Sequence, residues 1–232
     1  QASLEAAQLG IDRLELCANF PEGGETPSAG MLRFLKREID IPIFVMIRPR
    51  GGNFVYSPKE LLVMKQDIQL LGDLGADGFV FGALDAQGSV NESACESLLR
   101  AAESKPCTFH RAIDASVNLQ ESLKKIMQLG FQRVLSSGGK NSLSEGLDQV
   151  LELLHLAKDQ LVVMPGGGLK PAHVPILKAS GYLKEIHASC KLPKASSNQF
   201  TNPELSFSSA PLDYSTIFGI DPVVVEEFKS VL

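Results

Sequence analysis

None of the four cysteines, Cys17, Cys95, Cys107 and Cys190, stands in a CxxC pair, and their scatter suggests neither a disulfide framework nor a zinc knuckle. Reduced thiols in a cytoplasm fit that usage. Lys and Arg, 22 in all, are outnumbered by 27 Asp and Glu, a formal net charge of −5. A surface that tracks phosphates needs a cationic excess on one face, so broad nucleic-acid binding is not expected. Small ligands or protein partners are expected instead. With 44% hydrophobic and 21% charged residues, the composition is neither rich enough in apolar groups for a membrane span nor depleted enough for disorder. The first residues lack the basic segment and apolar run of a secretory signal.

What is there is an alternation of short β-rich runs with longer amphipathic stretches, the signature of parallel strands joined by crossover helices. Strands are expected at 13–17, 43–47, 78–81, 107–110, 133–135, 161–164 and 185–187. Between them, apolar residues three and four apart predict helices over 58–74, 93–103, 119–129 and 143–157. Gly10, Gly75, Gly130 and Gly181 stand where a left-handed residue would stop a helix ahead of the next strand. Leu9-Gly10-Ile11-Asp12 returns as Leu74-Gly75-Ala76-Asp77, which favours one repeated unit and hence a TIM-type (β/α) barrel.

A length of 232 residues suits one such domain, since these barrels run to about 250 residues. Seven strands are visible where a closed barrel needs eight, and the chain opens on a helical pattern at Gln1–Ala7, so the reading places the first strand outside the given residues. A Ser/Pro/Asn-rich loop is expected over about 192–216. A closing helix is expected over 221–232, with Asp221 as N-cap and Pro222 at its first position.

In a parallel barrel the loops after the strands line one mouth, so polar groups at the carboxyl ends of strands are the candidate site residues. That filter selects Glu15, Cys17, Arg48, Arg50, His110, Arg111, Asp114, Ser137, Gly166, Gly167, Gly168, His187 and Ser189. Arg48 and Arg50, followed by Gly51-Gly52, suit a carboxylate or phosphate, or else one of them pairs with Glu15 or Asp114. His110, Arg111 and Asp114 place an imidazole, a cation and a carboxylate in one short loop, as a proton-transfer or metal site requires, with Glu15 or Asp114 orienting the imidazole. The plainer alternative is that His110 only bridges neighbouring strands. Gly166–Gly168 before a helix, and Ser136-Ser137-Gly138-Gly139 after the preceding strand, are glycine turns able to offer backbone N–H groups to a phosphate. A thiolate at Cys17 would suit cuprous copper, although a lone cysteine also serves as a small buried hydrophobe. His155 and His173 fall on or beside helices and read as packing or surface residues.

Five segments, in this order, resemble the CutC family: Asp12-Arg13-Leu14-Glu15-Leu16-Cys17, Glu22-Gly23-Gly24-Glu25-Thr26-Pro27-Ser28, Val45 to Phe54 through Ile47-Arg48-Pro49-Arg50-Gly51-Gly52, Thr108-Phe109-His110-Arg111-Ala112, and Met164-Pro165-Gly166-Gly167-Gly168. The resemblance runs to about Ser189. It implies a cytoplasmic barrel protein of copper homeostasis and tolerance, homo-oligomeric as a dimer or tetramer, with Cu(I) as its ion. Proteins of the family usually begin with a strand like Glu-Val-Cys-Val, whose cysteine lies close to the one matching Cys17, and this chain carries no counterpart. Asn53 replaces a common acidic residue and Ile113 a common Phe. The residues themselves describe a polar, cationic mouth, which suits a small anionic or phosphorylated metabolite handled by a barrel enzyme with His110 as acid or base.

Overall fold

The computed structural model describes residues 1–200, 202, 205 and 216–232. Helix α1 (Ala2–Gln8) is followed by five repeats of strand and helix: β1 (Leu14–Leu16), α2 (Ala29–Glu38), β2 (Ile43–Met46), α3 (Pro58–Asp73), β3 (Gly78–Phe81), α4 (Glu92–Ala101), β4 (Cys107–Phe109), α5 (Leu119–Leu129), β5 (Arg133–Ser136) and α6 (Leu143–Ala157). Then come β6 (Val162–Pro165), α7 (Val174–Lys178), β7 (Lys191–Ala195), β8 (Thr216–Ile220) and α8 (Pro222–Val231). Strands β1 to β6 form one parallel sheet in chain order, a curled α/β sheet of the TIM-barrel type.

Strand periodicity sorts the side chains into two cores. Ile43, Val45, Phe79, Phe81, Phe109 and Val134 face outward and are buried under the helices. Phe44, Met46 and Val80 face inward and form a small apolar plug in the lumen. Full burial of each such side chain contributes about 1.5–3 kcal/mol, so the large outer layer dominates stability and the lumen is free to carry polar groups. Below the plug, Glu185 pairs with both Arg13 and Arg133, and both guanidiniums lie over the Phe44 ring, at 4.8 and 5.4 Å. This link from the start of β1 to the start of β5 crosses the lumen and so requires the sheet to curl.

The helices start where capping chemistry allows. Ser57 and Glu60 form a reciprocal capping box on α3, and the side chains of Asn91, Asn118 and Asp221 accept backbone N–H bonds at the heads of α4, α5 and α8. Gly10, Gly75, Gly130 and Gly181 all have left-handed backbone, as expected for helix stops.

Two expectations change. The seventh expected strand, 185–187, forms no ladder, since its one backbone bond to the sheet runs from His187 N–H to the Pro165 carbonyl. The loop expected over 192–216 is bounded by strands: β7 and β8 pair antiparallel from Lys191 opposite Ile220 to Ala195 opposite Thr216. Most of its interior, residues 201, 203–204 and 206–215, lies outside the described residues.

Candidate functional site

Parallel strands deliver their carboxyl ends to one rim, and there a cavity of about 760 Å³ opens. Among the expected residues, Glu15, Cys17, Arg48, His110, Arg111, Asp114, Gly167, Gly168, His187 and Ser189 line it. Arg50, Ser137 and Gly166 do not. Cys190, just after Ser189, lines the wall too, and Phe20, Phe54, Lys140 and Lys191 also line it and escaped the sequence reading. Lys140 sits four residues beyond the end of β5, too far for a filter tuned to strand ends.

His110 follows β4 and is buried, 3% exposed. Its Nδ1 accepts a hydrogen bond from the Ala112 N–H at 3.2 Å, so the neutral ring carries its proton on Nε2. Burial, with the Arg48 guanidinium acting in the same direction, pushes its pKa down to about 3. Nε2 is buried and has no hydrogen-bond partner among the described residues. His110 at neutral pH is therefore an N–H donor, and the structure favours that role over the acid–base one. Gly82 makes room for it: a Cβ there would lie 2.9 Å from Nδ1.

Arg48, also buried, uses its terminal nitrogens on backbone carbonyls, Nη1 on Glu22 and Gly24 at 2.7 and 2.9 Å and Nη2 on Gly52 at 2.9 Å. It thereby clamps the loop after β1 onto the loop after β2. Its Nε is buried without a hydrogen-bond partner of good geometry among the described residues, and the Tyr56 hydroxyl lies within the guanidinium's influence. Both groups pack on the Phe54 ring, Arg48 Cζ at 5.1 Å from the centroid and the His110 ring at 4.9 Å.

Arg50 turns away from the rim. It bonds Glu60 at 2.6 Å through Nε and the carbonyls of Gly51, Asn53 and Val55, so it secures the loop before α3 instead of holding an anion. The expected pairing with Glu15 or Asp114 falls to Glu60, because the capping box already places that carboxylate at the head of α3.

The turn Ser136–Gly139 was a candidate phosphate cradle, and Asp114 occupies it. Its carboxylate accepts from the N–H groups of Ser137 and Gly139, from the hydroxyls of Ser136 and Ser137, and from Arg111 Nε at 2.8 Å. The single Ser137 hydroxyl hydrogen is shared between Asp114 and the Lys140 carbonyl, and its oxygen accepts from Arg111 Nη2. Asp114 and Ser137 thus hold the rim, with no lone pair or donor left over for a reacting group.

The second glycine turn is different. Gly167 and Gly168 both have φ of +77° and line the cavity, and their N–H groups make no hydrogen bond among the described residues. Gly166, by contrast, donates to the Ser136 carbonyl and continues the sheet. A Cβ on Gly167 would fall 3.0 Å from Arg111 Cζ, so glycine also permits that guanidinium to approach.

Glu15 faces the cavity from β1, 3.9 Å from His187 Nδ1. Cys17 packs on the Phe44, Met46 and Val80 plug. Burial, and then the Glu15 charge, push its thiol up to about 11. Among the described residues, no three His, Cys, Asp or Glu side chains gather as metal ligands would. Met46 packs beside Cys17, and a thiol and a thioether alone are a thin set for tight copper binding. No helix among those residues is long and apolar enough to cross a membrane.

The CutC family model matches residues 1–192. The human copper homeostasis protein cutC homolog is 43% identical over 211 residues, covering 90% of this chain and 77% of that protein. A CutC family protein of Agrobacterium fabrum is 40% identical over 234 residues, covering 100% of this chain and 90% of the relative. The crystal structure of a protein assigned as copper homeostasis protein CutC from Streptococcus agalactiae superposes with a TM-score of 0.72 at 34% identity, covering 77% of this chain and 89% of that one. A match this long, over the same strands that build the rim, means that the chain belongs to the CutC family.

Proposed function

We propose that this chain acts in copper homeostasis, as its relatives are named for, on one (β/α) domain spanning residues 1–232, in the cytoplasm and as a homo-oligomer. We infer further that its rim cavity binds a small anionic metabolite, so that the effect on copper is exerted through that ligand. One observation carries this reading: His110, on the cavity wall, keeps in Nε2 a buried donor without a hydrogen-bond partner among the described residues. An unmet buried donor costs about 1–3 kcal/mol, so one kept beside a cavity is best explained by a ligand oxygen that meets it. Gly167, Gly168, Arg111 and Lys140 offer N–H groups and positive charge for the ligand's anionic end. Four free thiols support a reducing compartment. Exposed Phe34 on α2 and Leu62, Val63 and Leu70 on α3 support association with a second copy.

Thermal shift against phosphorylated metabolites tests the binding reading. A ligand at a hundred times its dissociation constant stabilises by about 2.7 kcal/mol, and His110→Ala should weaken the response. A screen without any shift in the wild type overturns it.

A second reading, Cu(I) bound directly at Cys17, is favoured by the Met46 thioether beside the same loop. Competition titration with a Cu(I) chelator decides between them. Stoichiometric binding lost in Cys17→Ser supports direct copper handling, and binding unchanged in that variant removes Cys17 as a ligand.

A further inference from the structure

The structure assigns the turn after β6 as the seat of a phosphate monoester, whose terminal oxygens are taken by the N–H groups of Gly167 and Gly168 and by Arg111 Nη1, with the Lys140 ammonium adding charge. This rests on the reading that the rim cavity holds a small anionic metabolite, and deepens it by naming the anion and its place on the wall.

These groups stand together in the fold. A Cβ on Gly167 would meet Arg111 Cζ at 3.0 Å and Nη1 at 3.2 Å, so the guanidinium lies directly against the turn. Arg111 Nη2 donates to the Lys140 carbonyl at 2.9 Å, and the Gly167 carbonyl accepts from the Leu143 N–H at 2.7 Å, which ties residues 140–143 to the same turn. All four residues line the one cavity, and none of them is buried: Lys140 and Gly168 are exposed, Arg111 and Gly167 partly so.

The way Arg111 is held decides what it can bind. Nε donates to Asp114, and Nη2 to Ser137 and to the Lys140 carbonyl, which leaves Nη1 without a hydrogen bond among the described residues. A planar carboxylate is matched by two parallel N–H bonds from one face of the guanidinium, and both such faces include the occupied Nη2. Nη1 therefore gives single bonds, while the amides of Gly167 and Gly168 come from another segment of chain. Donors that converge separately suit a tetrahedral group with three terminal oxygens.

Charge and size agree with this. Arg48, Arg111, Lys140 and Lys191 line the cavity against three carboxylates, so the rim reverses the sign of a chain whose net charge is −5 and draws anions to itself. A volume of about 760 Å³ holds far more than a bare phosphate, so the seat takes the phosphate end of a larger molecule, a monoester of sugar size.

Isothermal titration of the full chain with inorganic phosphate, sulfate and acetate tests the seat, and glycerol 3-phosphate and ribose 5-phosphate test the ester. Phosphate and sulfate are expected to bind, acetate to bind more weakly than either, and the esters to bind more tightly than inorganic phosphate. Arg111→Gln should weaken phosphate binding about 10–100-fold, the loss of a charge-assisted donor. Lys140→Gln changes an exposed side chain, so it keeps the fold, and should weaken binding about 3–10-fold. Affinities equal in the wild type and both variants overturn the seat. So does acetate binding as tightly as phosphate, or no binding by phosphate and both esters. A metabolite whose binding responds to His110→Ala but not to Arg111→Gln would remove the seat and leave the metabolite reading standing, whereas silence from every compound in the wild type would remove both.

Discussion

His110 Nδ1 accepts the backbone N–H of Ala112, and this bond decides the tautomer of the ring, while burial and the Arg48 guanidinium decide its charge. The folded pKa is pushed down to about 3 from an ordinary 6.5, so between these values the unfolded chain binds a proton that the folded one refuses. Stability from this group is complete above pH 6.5 and is lost as pH falls toward 3, at a slope of up to about 1.4 kcal/mol per pH unit. Urea unfolding between pH 7.5 and 5 should show this decline in the wild type and a flatter curve in His110→Gln. His173, also lowered, contributes the same sign in both proteins and cancels in the comparison. Glu5 and Glu60, lowered to about 2 from 4.5, act only at more acid pH. Parallel curves for the two proteins would mean that His110 titrates normally.

Asp114 is the internal anion of the turn after β5, and its removal should expose what it satisfies. Asp114→Ala leaves the buried Ser137 N–H and Ser136 hydroxyl without their acceptor, a loss of about 2–4 kcal/mol in urea unfolding. Formate is small enough to replace the missing carboxylate. Added formate should raise the melting temperature of this variant and leave the wild type unchanged. Equal response of both proteins would show that the turn does not depend on a carboxylate.

The fold was legible wherever a local pattern and a burial pattern agreed. The stripe of α5 and its Asn118 cap mark residues 119–129, and the unbroken apolar run from Ile43 to Met46, buried on both faces, marks β2. The hairpin was not legible. Lys191-Leu192-Pro193-Lys194-Ala195 contains a proline and two lysines and is exposed along most of its length, so no alternation betrays it. Nor was the break in α6 at Gly146, whose φ is −108°. The apolar stripe runs through it unbroken, but a Cβ at Gly146 would lie 2.0 Å from the Ser137 carbonyl. At the site, the strand-end rule found which side chains reach the rim. It could not find which carboxylate each cation would take, since Glu60 and Arg50, or Asp114 and the turn after β5, meet only through tertiary packing.

Cys17 should be a slow nucleophile. With its thiol pushed up from 9.0 to about 11, first by burial and then by Glu15, the thiolate at neutral pH is about 100-fold scarcer than for an ordinary cysteine. Iodoacetamide labelling at pH 7.5, read by peptide mass spectrometry, should show a rate lower than a cysteine peptide by at least that factor. Glu15→Gln removes the charge contribution and should speed labelling modestly. Labelling at the peptide's own rate would show that Cys17 is neither buried nor opposed by Glu15, and would strengthen the copper reading.

Glu5 ties the hairpin to the first helix. Its Oε2 accepts from Lys194 Nζ at 2.9 Å on β7 and from the Ile220 N–H at 3.3 Å on β8, and the Lys194 bond is the main cause of a pKa lowered to about 2. Lys191 at the root of β7 lines the cavity and stacks between Phe20 and Phe218, so the hairpin's attachment bears on the rim. Glu5→Gln loses the ionic half of the contact. Deuterium uptake at Ile220 and its β8 neighbours should rise, while uptake in β2 and β3 stays as in the wild type, because local opening of an edge does not require the core to unfold. Salt should imitate the variant, since the Glu5–Lys194 pair is solvent-exposed enough to be screened. Uptake at β8 unchanged both by the substitution and by salt would show that the antiparallel pairing of β7 and β8 alone holds the hairpin in place.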